Sequence, residues 1–500
     1  MNRDWVKPAV ADTIIHNMDD VFTAGQKNHH ISNTAYPIAH STTWRPYRVK
    51  RDDHQQQTVA AFDGLTHISL YSHIPFCETR CYFCEYTVVG KSELNQNREY
   101  MAALNQELAH YAGLFGHKTL VGFDIGGGTP SFVDAQLIDE HINEVSRYFS
   151  LAEHCAISIE TTPKIASREP AKINAYYQSG IRRISMGIQV TQPDLLRSLG
   201  RESNGLDHIQ QAVSHIRQAG FDDFNVDLMY GFANQSMASW EATLLYAIKL
   251  QPEHITLYRM RYKLTRISHQ AARVELSHVL EQAALAKSML AAAGYYANPG
   301  KNTYTRLPDQ TGTSSYLTSR VIQGSPYLGL GLGAQSFSDT SISYNSGAVG
   351  KNLSPYLKAI QRSELPIQDC YVLPKAHMMA KMIAVSFYFG EINLQYFQHK
   401  FGIALENAYG PAVKYALDNQ LMHYTKSVNG RHYHQSDITA FGQHSDRCLS
   451  LTEKGARHFA GTIALFFAPS VQSFLLNRDP DKAEDMHHNQ LVAEKVFARS

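Results

Sequence analysis

The sequence predicts an α/β protein: a partial (β/α)6 TIM-like barrel followed by a C-terminal, mostly helical, winged-helix-like domain. Three observations carry this expectation. Between about residues 64 and 340, short β-branched or apolar runs alternate with helix-like segments in six successive units. Such alternation implies parallel strands with crossover helices, and six units favour a barrel or partial barrel. After about residue 340 the alternation gives way to helical patterns and one hairpin.

At 500 residues the chain is too long for a single core. The expected division is 1–63, 64–340 and 341–500. Residues 1–63 are polar, rich in His, Asn and Gln, and weakly periodic, so they are expected to form an N-terminal extension that is partly ordered at best. The strands expected next are THISLYSHI (66–74), TLVGFDIGG (119–127), CAISIET (155–161), IRRISMGIQ (181–189), DFNVDLMYG (223–231) and HITLYRM (254–260). Helical segments such as NREYMAALNQELAHYAGLF and LDHIQQAVSHIRQAG separate them. PYLGLGLGAQSF (326–337) is read as a further strand beside the barrel, with packing of small residues and a ligand contact left equally open. Beyond 340, KAHMMAKMIAVSFYF and ENAYGPAVKYALDNQ read as helices, Asn429-Gly430 as a hairpin turn, and Thr452 as an N-cap.

Lys and Arg number 46 against 45 Asp and Glu, so the charge predicts no general affinity for nucleic acid or acidic membranes. A winged helix can bind DNA, but no basic recognition helix stands out, and a lid or packing domain is the expectation. No apolar run is long enough to span a bilayer and the first residues hold no apolar signal core, which makes a cytoplasmic location the expectation.

Of six cysteines, Cys77, Cys81 and Cys84 fall in HIPFCETRCYFCEY with C-x3-C-x2-C spacing, while Cys155, Cys370 and Cys448 are scattered and read as plain buried thiols. The triplet follows the first strand, which in a parallel barrel is the end where active sites form. Three thiolates can hold three corners of a 4Fe–4S cluster and leave one iron open. The alternatives are zinc with a distant fourth ligand, or reduced structural thiols; the spacing differs from the C-x2-C pairs of zinc ribbons. Arg259, Arg261, Lys263 and Arg266 lie at and beyond the sixth strand, where a solvated basic edge is favoured over a substrate clamp.

The run YSHIPFCETRCYFC resembles the signature of radical S-adenosylmethionine (SAM) enzymes. The preceding Y-x-H-I-P-F narrows the resemblance to the branch typified by oxygen-independent coproporphyrinogen III oxidase. The resemblance implies a 4Fe–4S cluster on Cys77, Cys81 and Cys84, whose open iron binds the amino and carboxylate groups of SAM. Reduction then yields methionine and a 5′-deoxyadenosyl radical. It further implies that Tyr71 and His73 match the family's tyrosine and histidine and that Phe83 packs near the adenine. By the same carry-over, Gly126, Gly127, Gly128 and Thr129 contact the SAM amino group, Glu160 holds the ribose hydroxyls, and Gln189, Arg201 and Asp227 complete the SAM site. Whether one SAM or two bind is open. A small-molecule substrate, porphyrinogen-like or a natural-product intermediate, and an electron donor such as flavodoxin or ferredoxin are implied partners.

Two departures bear on the reaction. The oxidases typically carry a further cysteine where this chain has Tyr86, which favours a specialised paralogue such as a methyltransferase or cyclopropanase. Heme chaperones of the branch typically carry H-N-x-x-Y-W, for which the local counterpart here is GTSSYL (312–317), without the His, Asn or Trp. A catalytic radical SAM enzyme is therefore the main expectation and a non-catalytic heme-binding chaperone the competing one.

Overall fold

The computed structural model describes residues 5–478, apart from 30, 38, 263–264, 309, 429–430 and 434–445. Lys263 and the Asn429-Gly430 turn thus lie outside the described residues.

Six strands stand where the alternation puts them: β1 His67–Ile74, β2 Thr119–Gly127, β3 Ile157–Thr161, β4 Ile181–Gln189, β5 Asp223–Tyr230 and β6 His254–Arg259. They pair in chain order and all in parallel. Their crossover helices include α1 Asn97–Phe115, α2 Ala135–Tyr148, α3 Leu206–Gln218 and α4 Met237–Lys249. Each helix turns one stripe inward: α2 buries Leu137, Ile138, His141, Ile142 and Val145 at three- and four-residue spacing. The strands are buried on both faces, as parallel strands covered by helices must be: β1 leaves only His67 exposed.

The sheet runs further than the expected boundary at 340. β7 Thr303–Thr305 closes one edge antiparallel to β6. On the other side β8 Tyr327–Leu330 pairs parallel with β1, as the PYLGLGLGAQSF run suggests. β9 Gln335–Phe337, β10 Ser341–Asn345 and β11 Ile367–Val372 then continue antiparallel. The strand order is linear from β11 to β7, so the barrel is open. The physical reason for the missed strands is that they lie outside the βα alternation. Ser341–Asn345 and Ile367–Val372 carry no crossover helix of βαβ type, and their strand character comes from pairing with each other.

A second core holds α5 Lys375–Ser386, α6 Leu394–Phe401, α7 Gly410–Asp418 and a small antiparallel sheet of β12 Glu391–Asn393, β13 Met422–Val428, β14 Arg431–Tyr433 and β15 Asp446–Leu451. The mostly helical expectation holds for these described residues, but four strands stand where a single hairpin was expected. Thr452 caps the next helix, its side chain accepting from the Gly455 amide.

The N-terminal segment departs from expectation. Tyr36, Trp44 and Tyr47 are buried in this second core, and helix Met18–Lys27 packs on Phe459–Ala464. Gly25 and Gly461 make that crossing possible: a Cβ on Gly25 would come within 2.6 Å of the Ala460 carbonyl. Polar composition hid the few aromatics that anchor it. Cys370 and Cys448 are buried, as expected, while Cys155 is half-buried.

Candidate cofactor site

The C-terminal ends of the parallel strands converge on the cysteine loop. Parallel register brings His73 opposite Gly126, Ile74 opposite Gly127, Glu160 opposite Ser185, and Gly187 opposite Asp227. The loop is tied down at several points. The Gly128 amide donates to the Ile74 carbonyl at 2.9 Å and the Thr129 amide to the Phe76 carbonyl at 2.7 Å. The Tyr82 amide donates to Leu199 O at 3.1 Å, Lys164 pairs with Glu78, and Lys351 Nζ donates to the carbonyls of Glu85 and Tyr86 at 2.9 Å.

The glycine run fits this packing tightly. Gly127 has φ +123, open to glycine alone in practice, and a Cβ there would stand 2.8 Å from the His73 ring. On Gly128 a Cβ would stand 2.7 Å from Phe76 O and 3.0 Å from Cys77 Sγ. His73 is held by Nε2 to Thr87 O at 2.8 Å and Nδ1 to Tyr71 OH at 3.2 Å, and burial lowers its pKa to about 4, so the ring is neutral.

Cys77, Cys81 and Cys84 are half-buried and share one loop. Thr129 Oγ1 and Cys77 Sγ are 3.4 Å apart, and Arg201 Nη1 donates to Cys81 Sγ at 3.3 Å. Burial pushes the Cys77 thiol up to about 12 and raises that of Cys84. Among the described residues, no group of three His, Cys, Asp or Glu side chains converges on a single metal ion. Three thiols on one loop with a guanidinium beside one of them match the donor set of a three-cysteine cluster.

Around them stand the other expected residues. Arg201 also donates from Nη2 to Gly187 O at 2.5 Å, and its buried Nε has no partner. Gln189 ends β4 with φ 69, a backbone state uncommon outside glycine, and its buried Oε1 is likewise unpaired. Two orphaned polar atoms side by side on the mouth are the pattern of a ligand-facing wall. Glu160 accepts from the Gly127 amide at 3.3 Å; burial, then Asp227 and Asp124, push its carboxyl up to about 8. Asp227 accepts from Asn225 at 2.8 Å and Ser185 at 3.1 Å, and burial raises its pKa. Phe83 lies 6.1 Å from Phe232, edge to face, within a small apolar cluster around Val190 and Leu196. All the expected site residues thus gather at one end of the sheet.

The basic edge is as anticipated: Arg259, Arg261 and Arg266 are exposed, and Arg261 pairs with Glu85 at 3.3 Å. Sequence reasoning missed Lys351, Tyr258 and Tyr388. Tyr258 and Tyr388 stand beside Tyr86 and Glu160. They come from separate elements, and no local motif marks them.

Comparison with known proteins agrees with this geometry. The model of the radical SAM superfamily matches residues 71–247. Heme chaperone HemW of Buchnera aphidicola is 34% identical over 194 residues, 39% of this chain and 50% of that protein. Oxygen-independent coproporphyrinogen III oxidase of Escherichia coli K12 is 30% identical over 203 residues, 41% of this chain and 44% of that protein. The chain thus spans about half the length of these relatives. The solved structure of the Escherichia coli coproporphyrinogen III oxidase superposes with a TM-score of 0.68 at 21% identity, over 87% of this chain and 96% of that one, a likeness of fold.

Proposed function

Taking as premise that this chain belongs to the radical SAM superfamily, in its oxygen-independent coproporphyrinogen III oxidase-like branch, we propose that it is an enzyme that reductively cleaves SAM to oxidise or alkylate an organic substrate. The observation that carries this reading is the placement of Cys77, Cys81 and Cys84 on one loop against Arg201 and the Gly126–Thr129 run.

Cys77, Cys81 and Cys84 would hold the 4Fe–4S cluster. The chemistry such a group supplies when bound is one-electron reduction of SAM to methionine and a 5′-deoxyadenosyl radical. This chain's residues bind and orient. Arg201 offers a fork of donors suited to a carboxylate, Glu160 two acceptors suited to vicinal hydroxyls, and the glycine run a backbone that a ligand can approach closely. The apolar wall of Phe83 and Phe232 suits a flat base.

Anaerobic reconstitution with iron and sulfide, then reductant and SAM, tests the reading. Release of 5′-deoxyadenosine that Cys81→Ala abolishes is the expected result, and intact SAM after long incubation would overturn it. Product mass separates the finer reactions: loss of carbon dioxide for an oxidase, gain of a methyl or methylene for a transferase. The identity to a heme chaperone supports a second reading, heme carriage without turnover. Saturable heme binding with no SAM cleavage would favour it.

A further inference from the structure

The chain behind the cysteine loop is pinned from outside the barrel strands. Residues 85–89 form neither helix nor strand, so their backbone groups need partners from elsewhere. Thr87 O meets His73 Nε2 at 2.8 Å, and the Val89 amide donates to Pro75 O at 3.0 Å. The carbonyls of Glu85 and Tyr86, the first two after Cys84, both accept from Lys351 Nζ at 2.9 Å. Lys351 is 265 residues from Tyr86 in the chain.

The turn that carries Lys351 is braced. It follows β10, and its Ser346 amide donates to Pro366 O at 2.7 Å while the Ser346 carbonyl accepts from the Gly333 amide at 2.8 Å. The Asn345 side chain just before it donates to the buried Glu107 carboxylate at 2.7 Å and to Gly331 O at 3.0 Å. The Lys351 amide closes the turn onto Gly347 O at 3.2 Å, with φ 53. Glycine adopts that backbone state more readily than lysine does, so the turn by itself does not call for lysine.

The carbonyls do not call for it either, since a neutral donor satisfies a carbonyl. What lysine adds is charge. Among the described residues Lys351 makes no ion pair, and the Glu85 carboxylate pairs with Arg261 at 3.3 Å instead. Cations thus stand on two sides of the cysteine loop: Arg201 at Cys81, and Lys351 behind Cys84.

We infer that Lys351 is a positioning residue that clamps the chain behind Cys84 and, through its ammonium, raises the reduction potential of the cluster those cysteines would hold. The inference rests on the reading of Cys77, Cys81 and Cys84 as a 4Fe–4S site. A 4Fe–4S core on three thiolates is anionic, and reduction adds one electron to it. Net charge and the surrounding polar groups set the potential of such a site, and a fixed cation favours the reduced form.

The test uses the full-length chain, reconstituted anaerobically with iron and sulfide and titrated with titanium(III) citrate in the absence of SAM. Electron paramagnetic resonance reads the reduced cluster. Lys351→Gln keeps a hydrogen-bond donor without the charge, Lys351→Gly suits the backbone, and Lys351→Arg keeps the charge. Both neutral variants should hold as much iron as wild type. Their reduction should be about tenfold less favourable, a fall of about 59 mV for one electron, with Lys351→Arg close to wild type. A clamp without electrostatic effect would leave Lys351→Gln at the wild-type potential, and that result overturns the inference. A fall as large in Lys351→Arg overturns it too. If circular dichroism shows Lys351→Gln misfolded, Lys351→Gly against Lys351→Arg carries the comparison. Hydrogen exchange of the iron-free chain reads the clamp separately. Peptides spanning residues 78–89 should exchange faster in Lys351→Gly than in wild type, and equal exchange removes the clamp. A wild type that takes up no cluster, yet protects this loop through Lys351, sinks the cofactor reading and the potential with it, and leaves the clamp standing.

Discussion

Asp12 and His377 are 365 residues apart in the chain and 3.0 Å apart in the fold. Both are fully buried. Tyr47 and the Ser470 amide also donate to the Asp12 carboxylate, and the Tyr36 hydroxyl and Trp44 indole meet the other nitrogen of the His377 ring. One aspartate therefore joins the N-terminal segment to two helices of the second core. This clamp explains why a polar stretch is folded at all.

Asp12→Asn should destabilise the protein by roughly 1–3 kcal/mol at neutral pH, the scale of hydrogen bonds to a buried charged acceptor. Burial would raise the Asp12 pKa, but His377 outweighs it and holds the value at about 2 against 3.8 when unfolded. The stabilisation is therefore complete above pH 3.8 and lost as pH falls through about 2. Guanidinium unfolding of both proteins should give a gap that is constant from pH 7 to 4 and shrinks from 4 to 2. A gap unchanged at low pH would show that the stabilisation does not depend on the Asp12 charge.

Two glycines predict opposite outcomes. Gly128→Ala would push a Cβ into Phe76 O and Cys77 Sγ, and should cost about 1–3 kcal/mol while displacing the cysteine loop. Gly113 lies exposed within α1 with nothing within 4 Å of its Cβ position, and Gly113→Ala should stabilise by roughly 0.5–1 kcal/mol. Thermal unfolding reads both changes; bound iron after reconstitution should fall only for the first.

What was legible in the sequence follows from the range of the signal. Cys77 to Cys84, the glycine run and the six strands announce themselves through local spacing and alternation. Glu160, Gln189 and Asp227 were legible only through the resemblance of their strand-end motifs to the family's, and parallel strands then deliver those ends to one face. Tyr258, Tyr388 and Lys351 were not, since no local motif marks them. The fold of residues 5–63 was hidden because its partners, His377 and Ser470, lie at the far end of the chain.

Substituting the cysteines one at a time should divide them cleanly. Cys77→Ala, Cys81→Ala and Cys84→Ala should each lose reconstituted iron, while Cys155→Ala, Cys370→Ala and Cys448→Ala should retain it. Arg201→Met should keep the iron, since the three thiols are intact, yet weaken SAM binding about ten- to a hundredfold by removing the carboxylate fork. Iron loss in that variant would instead make Arg201 a support of the Cys81 sulfur, which it touches at 3.3 Å.

With the ribose on Glu160, as proposed, ligand binding should depend on pH. The Glu160 carboxyl faces Asp227, Asp124, Tyr71, Tyr86 and Tyr258, and burial, then Asp227 and Asp124, raise it to about 8. Ribose hydroxyls are held best by the ionised form. Only about a tenth of the sites are ionised at pH 7, against about nine-tenths at pH 9, and apparent affinity scales with that fraction. 5′-Deoxyadenosine, which carries no amino acid moiety to titrate, should therefore bind about tenfold more tightly at pH 9 than at pH 7. Glu160→Gln should bind weakly at both values with no slope between them. A wild-type affinity that is flat over this range would place the ribose elsewhere than on Glu160.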